Sequence, residues 1–322
     1  MVVDMRIDPH LRGLTDALKE TLTRCASDPD VESVHDTRTG TRRIEAALEA
    51  ALRDAGLEGA EPDDPRIAAA RTWEGLLKRA RRAAAPVRDL DVQRGLLKRL
   101  VEELGAAAPP DGLNGDLAEQ AARLDRALHA KRDVRVAPLK KIASKWAERL
   151  DGHCAAFVDA MTQRQARHAR KPDAARAALD AFARLATQMQ QLDAGNLHDF
   201  RKGAKKARYM AEAGMGDEYA GAVGKALKKL QDAIGDWHDW LMLAEDAHKY
   251  LGENGARLTA AIEGERDLRF DAAMKLTTRM RGKLMGEWLA KAPARQTRRV
   301  AARASRDSAS NGTHPMPQSL KK

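Results

Sequence analysis

The run VHDTRTGTRR at residues 34–43 recurs as LHDFRKGAKK at residues 197–206, 163 positions later. Each copy starts with a His-Asp-x-Arg cluster and continues into a group of Lys and Arg side chains. The preceding stretches share the offset, because DPHLRGLTDALKETLTRCA contains Pro9 and KPDAARAALDAFARLATQMQQL contains Pro172. Proline suits the first turn of a helix, where its missing N–H is not needed. The repeat therefore predicts a chain built from two similar halves.

The composition favours helices throughout the chain. Aromatic residues make up only 4% of the 322 residues, and Ala, Leu, Arg, Lys and Glu dominate. No stretch shows the alternation of apolar and polar residues, rich in Val, Ile and Thr, that is typical of strands. We therefore predict an all-α fold of two antiparallel helical bundles.

No uncharged apolar run comes near the length that spans a bilayer. The first ten residues, MVVDMRIDPH, lack the basic flank and apolar stretch of a secretory signal. We expect a cytoplasmic protein without a membrane partner. Cys25 and Cys154 have no metal-ligand spacing, and we expect both to be core residues.

The positive charge is concentrated at the C-terminal end. Residues 291–322 hold eight Lys and Arg against the single acid Asp307, which accounts for +7 of the net charge of +10. This segment has no apolar periodicity, so we predict a disordered basic tail. The halves are expected at 1–171 and 172–290.

The predicted helices follow from apolar periodicity and from Gly and Pro positions. In the first half they lie near 66–85 and 88–104, and Pro138 is expected to start a helical stretch that runs to about Arg170. In the second half they lie near 197–213, 218–235, 237–251 and 256–289.

The repeated run presents one cationic face when it is wound as a helix at roughly 100° per residue. His35, Arg38, Arg42 and Arg43 share that face in the first copy, opposite Val34, Ile44 and Leu48. The second copy presents His198, Arg201, Lys202, Lys205, Lys206 and Tyr209 in the same way. Like charges at this spacing repel, and a bound anion would relieve the repulsion. We therefore interpret the face as an anion-binding surface, although a single basic helix face is most often only solvated.

A third landmark is LKKLQDAIGDWHDWLML at residues 227–243. Lys228 and Lys229 are additional candidate cations. His238 falls on the side of Leu227 and Ile234, so it is more typical of a satisfied core histidine than of a ligand.

Four segments in this order resemble the CHAD family, whose helical domains are named for their histidines. They are VHDTRTGTRRIEAAL, VRDLDV, LHDFRKGAKKARYM and LKKLQDAIGDWHD, and the resemblance covers about residues 5–290. It implies two bundles related by a pseudo-twofold axis around a basic central channel. It also implies binding of inorganic polyphosphate and association with polyphosphate granules in bacteria. We expect a non-catalytic binder without a cofactor. The family's His and basic positions fall on His35, Arg38, Arg42, Arg43, His198, Arg201, Lys202, Lys205, Lys206, Arg208, Tyr209, Lys228 and Lys229, with His238 as a weaker candidate.

Two other functions stay open at the level of sequence. The dipeptides His35-Asp36, His198-Asp199 and His238-Asp239 could belong to a metal-dependent phosphohydrolase, although cationic neighbours would repel a divalent ion. The basic surface and tail could bind nucleic acid weakly, although aromatic stacking platforms are scarce. If the histidines protonate against phosphate, affinity should rise as the pH falls through about 6.5.

Overall fold

A computed structural model describes residues 7–57, 63–106, 115–162, 173–212, 214 and 217–291 of the chain. Within these ranges the structure is helical and contains no strand, so the predicted all-α class is confirmed. The first half contributes α1 (Ile7–Ser27), α2 (Val31–Asp54), α3 (Pro65–Ala106), α4 (Gly115–Ala147) and α5 (Leu150–Thr162). The second half contributes α6 (Ala174–Gln188), α7 (Leu197–Glu212), α8 (Glu218–Leu251) and α9 (Ala256–Ala290), with a 3-10 turn at Gly252–Gly255.

Aspartates begin three of these helices. Asp30 accepts a hydrogen bond from the Ser33 amide at 2.7 Å at the start of α2, and Asp173 accepts one from the Arg176 amide at 2.8 Å at the start of α6. Asp217 caps α8 in the same manner. Each side chain satisfies an amide that has no partner within the helix.

Three predicted helix boundaries are wrong because packing outweighs local breaking signals. The segments predicted at 66–85 and 88–104 form one helix, α3, with Pro86 inside it. Pro138 lies inside α4 instead of starting a helix, and the stretch that follows it is divided between α4 and α5. The predicted end near 170 lies outside the described residues. The segments 218–235 and 237–251 are likewise continuous as α8. An interior proline costs about 3 kcal/mol, and fully buried neighbours such as Val87 and Leu139 offset that cost.

Apolar residues form a core in each half and a third cluster between the halves. The first core lies among α1, α2, α5 and parts of α3 and α4, and the second among α6, α7 and parts of α8 and α9. The third cluster joins the remaining parts of α3, α4, α8 and α9 and includes Leu97, Leu124, Trp240 and Leu258. This shared cluster fixes the two halves against each other. The predicted boundary at 171 falls outside the described residues, as does the predicted tail beyond Lys291.

A glycine in each copy of the repeated run allows close helix packing. A Cβ on Gly40 of α2 would lie 3.1 Å from a Leu18 methyl of α1, and a Cβ on Gly203 of α7 would lie 2.5 Å from a Leu185 methyl of α6. Both motif helices therefore pack closely on the helix that precedes them. The matching contacts agree with a duplicated half, while the expected pseudo-twofold axis stays a prediction.

Candidate functional site

Cations from α2 and α7, one helix from each half, converge on a single place. Burial of Lys205 is the largest cause that lowers the pKa of its ammonium group, and the charges of Arg42, Arg201, Arg208 and Arg38 lower it further, to about 7. Arg38 and Arg42 belong to α2, whereas the other three belong to α7. We call these five residues the central cluster.

The central cluster contains cations with and without carboxylate partners. Arg38 forms an ion pair with Asp89 of α3 at 2.9 Å, and Arg208 forms one with Glu212 at 3.0 Å. Arg42, Arg201 and Lys205 have no ion pair with any carboxylate of the described residues. These three groups therefore supply the cationic side chains of the site that form no ion pair.

Arg42 lies at the junction between the two motif helices. Burial lowers the pKa of its guanidinium, and the charges of Arg38, Arg81 and Arg208 act in the same direction. The Tyr209 hydroxyl lies close enough to act in the opposite direction. The Arg208 guanidinium lies 5.0 Å from the centre of the Tyr209 ring. Tyr209 thus lies beside the central cluster, and its assignment as a ligand stays a prediction.

The side chain of Arg201 reaches from α7 to the backbone of α8. Its Nε donates a hydrogen bond to the Gln231 carbonyl at 3.0 Å. One turn further along α8, the guanidinium occupies the space beside Gly235, where an added Cβ would lie 2.7 Å from a terminal nitrogen of Arg201. This arrangement fixes the guanidinium while leaving its charge unpaired.

Next to Arg201, the imidazoles of His198 and His238 lie in contact, with ring centres 4.0 Å apart and planes inclined by 30°. The Nδ1 atoms of both rings are buried without a hydrogen-bond partner. Burial lowers the pKa of His198, helped by Lys202 and Arg201, and lowers that of His238 to about 4, helped by His198 and Arg201. The prediction that His238 is a satisfied core histidine is therefore wrong: the apolar-looking side of α8 at this point faces the motif of α7.

Asp239 follows His238 on α8 and lies within electrostatic reach of Arg201. Burial raises the pKa of its carboxyl group to about 6; Asp89 and Asp236 add to the rise, and Arg201 opposes it. The neighbourhood therefore combines neutral imidazoles, a weakly acidic carboxyl group and fixed guanidinium groups.

The remaining predicted residues lie outside the central cluster. His35, Arg43, Lys206 and Lys229 are exposed. The other two are exposed and paired within their own helices, Lys202 with Asp199 at 2.9 Å and Lys228 with Asp232 at 2.5 Å. Their assignment as ligands for an anion stays a prediction.

Sequence reasoning assigned no role in anion binding to four residues that shape the site. Arg81 approaches Arg42 from α3 and forms an ion pair with Glu45. Asp89 and Asp239 contribute carboxyl groups, and Gly235 provides space. The HDxR repeat gave no signal for them, since they come from the long helices that α2 and α7 pack against.

The three His-Asp dipeptides do not assemble into one ligand set. In the described ranges, no group of three or more His, Cys, Asp and Glu is placed to hold a metal ion. His198 and His238 meet each other, while His35 is exposed on α2. Over the same residues, no helix is long and apolar enough to cross a membrane.

Comparison with known proteins agrees with this fold. Residues 9–248 match the profile of the CHAD domain, so the chain belongs to the CHAD domain family. The structure is also similar to the crystal structure of the CHAD domain from the plant Ricinus communis, with 17% sequence identity and a TM-score of 0.51. That match covers 88% of this chain and 90% of the plant chain. A search of curated proteins finds no match.

Proposed function

We propose that this protein binds inorganic polyphosphate without catalysis, and that the central cluster is the binding site. The observation that carries the proposal is the convergence of Arg42, Arg201 and Lys205, from both halves, without carboxylate partners. Guanidinium groups offer paired donors to phosphate oxygens, and a lysine offers a mobile point charge. An anion that touches all three groups relieves their mutual repulsion.

A polymer with one charge per phosphate suits this site better than a single small anion. The exposed cations Lys202 and Lys206 lie on α7, which also carries three cluster residues, and the exposed Lys229 lies on α8. These three side chains would contact further phosphates of the polymer. Binding would release counterions from the polymer, so affinity should fall as salt rises. In the cell we place the protein in the cytoplasm, at polyphosphate granules.

The test compares two double variants that each replace two cationic side chains. Arg42→Ala with Lys205→Ala removes two cluster cations, whereas Lys275→Ala with Arg279→Ala removes two exposed cations of α9. Titration with long-chain polyphosphate at near-physiological salt should show a loss of at least about a hundredfold for the first variant, because each charged hydrogen-bonding group contributes about 1.5–3 kcal/mol. The α9 variant should bind almost as tightly as the unaltered chain.

Equal losses in the two variants would assign binding to overall charge and would overturn the proposal. Two further measurements address the alternatives. Incubation with polyphosphate should release no orthophosphate, and duplex DNA should compete poorly with polyphosphate. Release of orthophosphate would make the protein an enzyme, and strong competition by DNA would favour a nucleic-acid binder.

A further inference from the structure

The arginines of the two HDxR runs reach their neighbouring long helices in similar ways. Arg38 donates to the Ala85 carbonyl of α3 at 3.3 Å, and Arg201 donates to the Gln231 carbonyl of α8 at 3.0 Å. Each guanidinium is therefore held against a helix backbone. What differs is the residue one turn further along that helix.

In the first half that residue is Asp89, which neutralises Arg38 through the ion pair at 2.9 Å. In the second half it is Gly235, which has no side chain and so offers Arg201 no ion pair at this position. Gly235 is buried in the middle of α8, so the glycine serves neither a turn nor a helix end. An interior glycine weakens a helix relative to alanine, and its presence here calls for a local reason.

The space beside Gly235 supplies that reason. An added Cβ would lie 2.7 Å from one terminal nitrogen of Arg201 and 3.2 Å from both its Cζ and its Nε. All the atoms that would be crowded belong to one flexible side chain. An alanine would therefore displace the guanidinium without disturbing the backbone or the core.

We propose that Gly235 is a positioning residue that seats the Arg201 guanidinium against α8, where it can contact a bound polyanion. This inference rests on the proposed function, because the anion is the ligand for which Arg201 is positioned. It makes Gly235→Ala a variant with opposite effects: the helix gains a better helix former, and the site loses a fixed cation.

The matched control is Gly224→Ala. Gly224 is also buried in α8 and faces α7, but a Cβ there would lie 3.7 Å from its nearest neighbours, Ala211 and Glu212, which is ordinary contact. Gly235→Ala should weaken binding of long-chain polyphosphate by about tenfold, close to the lower limit for one charged hydrogen-bonding group, because the guanidinium is displaced and not removed. Gly224→Ala should leave binding unchanged. Both variants should melt at or above the temperature of the unaltered protein.

A double-mutant cycle separates positioning from a general structural effect. Arg201→Ala should weaken binding at least as much as Gly235→Ala does. In the Arg201→Ala background, adding Gly235→Ala should cause no further loss. An equal additional loss in that background would show that Gly235 acts independently of Arg201 and would overturn the inference.

A second readout needs no polyphosphate. Arg201 lowers the pKa of His238, alongside burial and His198, while Asp89 and Glu245 raise it. An NMR titration of the His238 ring should therefore show a higher pKa in Gly235→Ala than in Gly224→Ala. Unchanged titration would mean that Arg201 has not moved and would overturn the inference. If the His238 titration shifts in Gly235→Ala but the unaltered protein does not bind polyphosphate, Gly235 still positions Arg201 and the proposed function is overturned.

Discussion

Lys205 should make polyphosphate binding depend on protons near neutral pH. In the free protein the pKa of its ammonium group is about 7, compared with the ordinary value of 10.5. Burial lowers this pKa most, and the charges of four arginines lower it further. The attraction of a bound polyanion opposes both causes, so the pKa should return toward 10.5 in the complex. At high pH, where Lys205 is neutral in the free protein, binding must then be accompanied by the uptake of a proton from solvent. Between pH 6 and pH 9 the affinity should fall by about a hundredfold, or about 2.7 kcal/mol.

The assay is a titration with long-chain polyphosphate at fixed ionic strength and at several pH values from 6 to 9. Long chains keep the titrating terminal phosphates to a small share of the ligand. Lys205→Arg should abolish the fall, because a guanidinium stays charged throughout this range. Lys206→Arg, one residue away and exposed, should retain it. Equal affinity at pH 6 and pH 9 in the unaltered protein, or an unchanged slope in Lys205→Arg, would refute the reasoning.

Three further outcomes follow from individual contacts. In urea denaturation below pH 7, where the half-buried ammonium is charged, Lys205→Met should raise the free energy of unfolding by on the order of 1–3 kcal/mol. This gain should shrink as the pH rises toward 10.5, because Lys205 loses its proton in the folded protein before it does in the unfolded chain. Asp89→Asn should free Arg38 and tighten polyphosphate binding by up to about fivefold in calorimetry, since Asp89 is largely exposed and such pairs contribute about 0.2–1 kcal/mol. Arg132→Ala should destabilise the fold by about 3–5 kcal/mol in urea denaturation, because it leaves the buried Asp91 carboxylate unpaired, whereas polyphosphate affinity per folded molecule should not change.

The rise in affinity near pH 6.5 that the sequence suggests for the histidines stays a prediction. Sequence reasoning expects affinity to rise as imidazoles protonate near pH 6.5. The structure lowers the pKa of both His198 and His238, chiefly through burial, so neither ring is charged at neutral pH in the free protein. Burial and the neighbouring arginines lower the pKa of Lys205 to about 7, so we expect this group to add to the pH dependence near neutrality. No sequence pattern indicates these lowered pKa values, because they depend on how deeply each group is buried once the helices pack together.

The helices themselves follow well from the sequence. The prediction of a helix at 197–213 agrees with α7 (Leu197–Glu212), and that at 256–289 agrees with α9 (Ala256–Ala290). The errors fall at Pro86, Pro138 and Gly235, where a local breaking signal lies inside a longer helix. Local propensity is set by one residue, while continuity of the helix is set by burial on both sides of it. Only the second depends on contacts that are distant in sequence.

The site shows the same division between local and distant information. A helical wheel gives Lys202, Lys205 and Lys206 similar places on one face, and it cannot rank them. The structure separates them: Lys205 is half-buried among arginines, while Lys202 and Lys206 are exposed. The ranking comes from the approach of α2, which brings Arg42 and Arg38 to one part of that face. The distinction between a paired Arg38 and an unpaired Arg201 likewise depends on residues of α3 and α8.

The location of the central cluster links affinity to the packing of the two halves. Each half has its own core, and the cluster draws its cations from both. The shared cluster of α3, α4, α8 and α9, with Leu97 and Trp240 within it, holds the halves at the spacing that the cations require. Repulsion among Arg42, Arg201 and Lys205 opposes that spacing in the free protein, and a polyanion reverses the sign of this contribution. A polyanion that contacts both motif helices therefore strengthens the same arrangement that the apolar contacts maintain, and ligand binding and association of the halves stabilise each other.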